Sequence, residues 1–154
     1  MLHKVFIKIF ISRRDKLVQR TLAILKPDCL EKNIQGKVIQ QIIEAGFKIK
    51  GMRLLKLTAE SAKKFYEVHR ERPFYNALVE YMTSGPVIPM ALEKDDAVSV
   101  FRKLIGATDP AKAEKGTIRN KYAESIEHNI IHGSDSPENA IKEIAHFFKA
   151  DDLI

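Results

Sequence analysis

Residues 20–57 read RTLAILKPDCLEKNIQGKVIQQIIEAGFKIKGMRLLKL. Arg20–Leu25 is a compact β run closed by Lys26-Pro27-Asp28, where proline withdraws a ladder donor. Beyond Gly36, the apolar residues Val38, Ile39, Ile42 and Ile43 fall at helical spacing, and Gly46 supplies the stop. Phe47–Leu57 alternates apolar and basic residues and then drifts at Leu54-Leu55, which predicts one strand with a bulge near Gly51. The stretch is therefore a β-α-β unit, and the rest of the chain extends it.

Thr58 opens TAES, a cap-like entry to a helix that carries Phe65, Tyr66 and Val68. Pro73 opens another helix with Leu78, Val79 and Met82 on one stripe, and Gly85-Pro86 ends it. Val87–Leu92 reads as a buried strand interrupted by Pro89. Asp95 starts a helix through Val98, Phe101, Leu104 and Ile105. Ser136 and Pro137 fit the N-cap and N1 positions of the last helix, and the apolar Ile144–Phe148 is expected to close the sheet as a final strand. Two βαβ-like halves make a ferredoxin-like α+β sandwich: βαββαβ, a four-stranded antiparallel sheet with helices on one face. Residues 106–131 show little periodicity. A loop of that length in a compact domain is usually functional, and this one leads directly to His132.

The 154 residues suit a single domain, 45% hydrophobic and 30% charged. The lone Cys29 excludes an internal disulfide framework and fits a reducing, cytoplasmic setting. No apolar run approaches the roughly 18–20 residues of a membrane span. A net charge of +6 raises the rival reading of a non-enzymatic nucleic-acid or regulatory binding protein. The charge is unevenly placed, however: residues 1–20 carry +5 and the remaining 134 residues only +1. Residues 1–19 are thus expected to be a basic, non-catalytic leader, and residues 20–154 the functional domain. The leader matches no secretory pattern, since Lys8 interrupts its apolar block and no small-residue cleavage site follows.

The first turn of a helix opening at Ser136 has free N–H groups and a positive dipole end, so it suits an anion. His132 lies just upstream on what reads as a tight turn at Gly133, and a neutral imidazole is a nucleophile at physiological pH. An anionic electrophile at a nucleophilic histidine suggests phosphoryl transfer, which needs cations for the phosphate oxygens. Lys26 at the first strand end, Arg102 and Arg119 are the candidates. Taken singly, each would ordinarily be a solvated surface charge. No Walker-type loop, dinucleotide fingerprint or paired-Cys metal spacing is present.

RTLAILKPD (Arg20–Asp28), HRERPFYNALVEYM (His69–Met82), SGPV (Ser84–Val87), GATDP (Gly106–Pro110), GTIR (Gly116–Arg119) and NIIHGSDS (Asn129–Ser136) together resemble the nucleoside diphosphate kinase family. The resemblance implies ping-pong transfer of the γ-phosphate of a nucleoside triphosphate to a nucleoside diphosphate through phosphohistidine at His132. Glu143 would fix the other ring nitrogen and Ser134 would support Glu143. Lys26, Tyr66, Arg102, Thr108 and Arg119 would bind the phosphates, and Lys26 with Asn129 the sugar. Phe74 would stack on the base, with Leu78 and Ile126 lining its slot. Mg²⁺ would be held mainly by nucleotide phosphates and water, without a protein ligand and with Asp135 reaching it at most indirectly. The resemblance further implies a homo-oligomer, hexamer or tetramer, while the lack of a long apolar run argues against a membrane partner and the nearly neutral body of the chain argues against nucleic acid. Asn120-Lys121-Tyr122 departs from the small residue and Asp-Phe usual after GTIR, which bears on loop packing and subunit contacts.

Overall fold

The structure is a computed structural model and describes residues 18–154. Of the leader read over residues 1–19, only Val18 and Gln19 are among the described residues, and they open the first strand, β1 (Val18–Leu25). From Thr21 to Leu25 every residue of β1 is wholly buried. Successive strand residues face opposite sides of a sheet, so a strand buried at every position must be covered on both faces.

That is the arrangement found, and it corrects the expectation of helices on one face only. Ala23 and Leu25 pack with Val38 and Ile42 of α2 (Gln35–Glu44), Phe101 and Ile105 of α5 (Ala97–Ile105) and Ile118 of α6 (Ile118–Tyr122). Leu22 and Ile24 pack with Ala62 of α3 (Ala59–Phe65), Met82 of α4 (Tyr75–Thr83) and Phe147 of α7 (Pro137–Phe147). At about 1.5–3 kcal/mol for each fully buried side chain, both layers stabilise the sheet.

The remaining strands are β2 (Lys48–Met52), β3 (Leu55–Lys56), β4 (Pro86–Asp95) and β5 (Ile131–Gly133). The sheet order is β2-β4-β1-β5 with every pairing antiparallel, and β3 pairs with β4 beyond the end of β2. This is the expected ferredoxin-like topology. The single strand predicted over residues 47–57 is split in two, because the Pro89 carbonyl accepts from Arg53 N on that edge and its missing N–H falls there too. The predicted bulge is present, as a register shift between Ile49 and Gly51.

The last strand was misplaced by the sequence reading. Ile144–Phe147 belongs to α7, where Ala140, Ile144 and Phe147 form one buried helical stripe. The closing strand is instead β5, with Ile24 opposite His132. Ser136 does cap α7, its side chain accepting from Asn139 N, and Thr58 likewise caps α3. The long loop contains α6, capped by Thr117.

Candidate active site

β5 brings the nucleophile candidate to the end of β1. His132 lies on this strand and not on a tight turn, and Gly133 has no positive φ. Gly133 matters through close approach: a Cβ there would stand 3.0 Å from both Ile105 Cδ1 and Phe101 Cδ1. The sharp turn comes earlier, at Ile130, where φ is 74° and Ile131 N donates to Asn129 O at 2.8 Å. This is a strained γ-turn on a β-branched residue, a conformation that costs of order 1–3 kcal/mol.

The His132 ring is held at one nitrogen. Nε2 lies 2.7 Å from Glu143 Oε1, and the same oxygen accepts from Ser134 Oγ at 2.8 Å. Ser134 is wholly buried, its hydroxyl also accepts from Leu22 N, and its own amide donates to Leu22 O. The β5–β1 ladder therefore sets the serine, the serine sets the carboxylate, and the carboxylate sets the imidazole. With Nε2 donating to Glu143, the lone pair resides on Nδ1. Phe65, which sequence reasoning did not single out, meets the His132 ring edge-on at 5.5 Å between centroids. A cavity of about 540 Å³ in front of His132 is lined by Phe65, His69, Asp135, Lys142 and Glu143 among others.

Three of the residues expected to contact phosphate and sugar are bonded to one another or to the backbone just before His132. Lys26 donates from Nζ to Asn129 Oδ1 at 2.7 Å and from its amide to Ile130 O. Burial and the neighbouring Arg119 lower the Lys26 pKa to about 8, and Asp28 opposes them. Arg119 is also buried, which together with Arg102 lowers its pKa to about 10. Its guanidinium donates to the carbonyls of Asn129, Ile131 and Gly106, fastening the loop to β5 with three of its five N–H groups. Gly106 has φ +87°, and a Cβ there would sit 2.4 Å from Thr117 Oγ1, so only glycine suits that position.

Tyr66 ends α3 with its hydroxyl buried and, among the described residues, without a hydrogen-bond partner, and burial with the nearby Glu143 charge raises its pKa. Such an orphan donor is costly unless a ligand meets it. Arg102 and Thr108 are exposed, on α5 and in the following loop. Phe74 at the start of α4 and Ile126 after α6 are 51% and 53% exposed, while Leu78 is half-buried. They sit on separate segments, joined through Tyr81 of α4, which stacks on His128 at 4.7 Å.

Asn120-Lys121-Tyr122 is accommodated. Lys121 Nζ donates to Gln41, Asn120 closes on Ala113 O and Gly116 N, and Lys32 Nζ donates to Tyr122 O. Cys29 is wholly buried, and burial pushes its thiol pKa up to about 12, which makes it inert. Asp28 is the other residue that sequence reasoning missed: 5% exposed, it accepts from Ile130 N at 3.0 Å. Its place in the Lys-Pro-Asp strand end was the available signal. Among the described residues, no group of three or more His, Cys, Asp or Glu is placed to hold a metal ion, and no helix is long and apolar enough to cross a membrane.

A ferredoxin-like sandwich that orients one imidazole at a cleft, with buried cations bonded to the backbone next to it, suits a phosphotransferase that handles anionic substrates. Comparison with known proteins makes this specific. Residues 19–153 match the family described as "Nucleoside diphosphate kinase". A nucleoside diphosphate kinase of Chlorobaculum tepidum is 58% identical over 137 residues, covering 89% of this chain and 98% of that protein. The crystal structure of the Aquifex aeolicus nucleoside diphosphate kinase superposes with a TM-score of 0.87 at 44% identity, over 89% of this chain and 99% of that one. The Halobacterium salinarum enzyme, solved in complex with CDP, gives 0.85 at 38% identity, over 88% and 91%. The chain belongs to the nucleoside diphosphate kinase family and is an enzyme of that activity, a kinase of nucleotide metabolism.

Proposed function

We propose that the chain transfers the γ-phosphate in two half-reactions through His132. The observation that carries this reading is the Ser134–Glu143–His132 relay of 2.8 and 2.7 Å, which holds Nε2 and directs the lone pair of Nδ1 to the substrate. In the first half-reaction Nδ1 attacks the γ-phosphorus, the bond to the bridging oxygen breaks, and the diphosphate leaves with that electron pair. In the second, a terminal oxygen of the acceptor diphosphate attacks the phosphorus and the P–N electrons return to Nδ1. Glu143 compensates the positive charge that the ring carries in between.

Lys26, Tyr66, Arg102, Thr108 and Arg119 bind the phosphates in this reading, and Lys26 with Asn129 binds the sugar. Phe74 stacks on the base, with Leu78 and Ile126 completing the slot. Stacking accepts any base face, so both nucleoside tri- and diphosphates of purines and pyrimidines are substrates. Mg²⁺ arrives as part of the nucleotide substrate, held by phosphates and water. Asp135, kept ionised by the hydrogen bond from Asn139, lines the cavity in front of His132 and would reach the ion at most indirectly. The domain expected over residues 20–154 takes in Val18 and Gln19 as the start of β1, the leader before them is non-catalytic, and the enzyme works in the cytoplasm as a homo-oligomer, hexamer or tetramer.

The test is incubation with ATP and Mg²⁺ followed by intact-mass analysis. One phosphoryl group per chain, lost in mild acid and stable to base, is expected. His132→Ala should abolish both labelling and turnover, and labelling that survives the substitution overturns the assignment.

A further inference from the structure

We propose that Asp28 is a positioning residue for phosphoryl transfer, fixing the turn at Ile130 so that Asn129 and His132 meet the same nucleotide. The inference rests on the reading of His132 as nucleophile and extends it to a residue that touches no substrate.

Asp28 follows the end of β1 and is 5% exposed. Its Oδ2 accepts from Ile130 N and its Oδ1 from Cys29 N, each at 3.0 Å. Two residues earlier, Lys26 N donates to Ile130 O at 2.9 Å. The segment after β1 thus grips both backbone groups of Ile130, the one isoleucine among the described residues whose φ is positive. The peptide joining Asn129 to Ile130 is held from both edges by charged groups. Asp28 takes its N–H, and Arg119 Nε donates to its carbonyl at 3.3 Å. Hydrogen bonds to ionised partners are the stronger kind, and they oppose a backbone conformation that isoleucine avoids when unconstrained.

What hangs on this peptide is functional. The Asn129 side chain meets Lys26 Nζ at 2.7 Å, and His132 lies two residues beyond Ile130. Asp28 also ties the turn to the helix of the base slot, since its amide donates to the Tyr81 hydroxyl at 3.2 Å. Its carboxylate is moreover the acidic neighbour of Lys26, which faces Arg119 from α6, Asp28 from the short helix α1 (Pro27–Glu31) and the neutral Asn129 from the loop.

Asp28→Asn keeps the shape but cannot accept from both backbone amides with two oxygens. Small misplacement of a reacting group costs up to about 100-fold in rate, so kcat should fall about 10- to 100-fold, by more than KM rises. Removing the negative charge makes the Lys26 ammonium easier to deprotonate, so the alkaline limb of activity should move to lower pH. If Asp28 serves stability alone, the variant will melt lower while kcat per folded enzyme and the alkaline limb stay as in the parent, and the proposal is overturned. Should Asp28→Asn not fold, Asp28→Glu keeps the charge but displaces the oxygens that accept from Ile130 N and Cys29 N. Its kcat should drop about two- to fivefold, the effect of one ordinary hydrogen bond, and an unchanged kcat overturns the proposal equally. His132→Gln is assayed alongside. Turnover there would remove the nucleophile reading, whereas an inactive His132→Gln beside a normal Asp28→Asn removes only the positioning role.

Discussion

Lys26 should be a residue that the fold holds at a cost, and Lys26→Met measures that cost. Its ammonium has a pKa lowered from 10.5 to about 8, chiefly by burial. At 1.36 kcal/mol per unit, the charged form is disfavoured in the folded state by about 3 kcal/mol. The folded pKa lies below the unfolded one, so between pH 8 and 10.5 the unfolded chain binds more protons and stability rises with pH. Methionine fills similar space without charge, but leaves Asn129 Oδ1 without its 2.7 Å partner. That loss offsets part of the gain by about 1–3 kcal/mol and is independent of pH. The informative quantity is therefore the change in the stability difference. Relative to Lys26→Met, the parent should gain about 3 kcal/mol between pH 7 and 10.5, read by urea unfolding at fixed protein concentration. Turnover of the variant should meanwhile fall at least about 100-fold, the loss expected when a phosphate-directed charge is removed. Nucleotide binding near pH 8.5 should take up a proton in the parent and not in the variant, which calorimetry in two buffers of different ionisation enthalpy detects. A stability difference that stays constant across this range would refute the argument.

Glu143→Gln should reduce kcat by about 10- to 1000-fold in steady-state assays with little rise in KM, because its amide can donate to Nε2 and force the ring proton onto Nδ1. An unchanged kcat would make Glu143 a bystander. Gly133→Ala should lower stability by about 1–3 kcal/mol on thermal or urea unfolding, as its methyl meets Phe101 and Ile105 at 3.0 Å, and a neutral outcome would mean that β5 shifts freely. Phe74→Ala should weaken every nucleotide by a similar factor, about 1–3 kcal/mol per stacked base, whereas loss confined to one base would argue for edge recognition. Removing residues 1–17 should leave kcat unchanged, and a fall in turnover on deletion would give the leader a catalytic part.

Local chemistry was legible from the sequence. The Ser136-Pro137 and Thr58 helix starts, the bulge before Gly51 and the strand end at Lys26 depend on neighbours in the chain, and each is where the residues put it. His132, Ser134, Glu143, Lys26, Asn129 and Arg119 are named from residue types and family resemblance; the first three share one hydrogen-bonded group, and the last three meet at the backbone just before His132. Tertiary packing decided the rest. Three residues of β5 have too little periodicity to announce a strand, and only pairing with Ala23–Leu25 makes them one. Ile144–Phe148 reads as a strand from its apolar residues alone, and only packing against Leu22 and Ile24 makes the run to Phe147 the end of a helix. The same distinction separates the two buried charged groups at the end of β1. A lysine at a strand end is visible in the sequence, but its depressed pKa arises from burial and from Arg119, 93 positions away in the chain. Asp28 is another matter of distance, since the Ile130 amide that it holds is 102 residues further on. Sequence patterns report energies set within a few residues, whereas strain, desolvation and charge coupling exist only once remote segments share one interior.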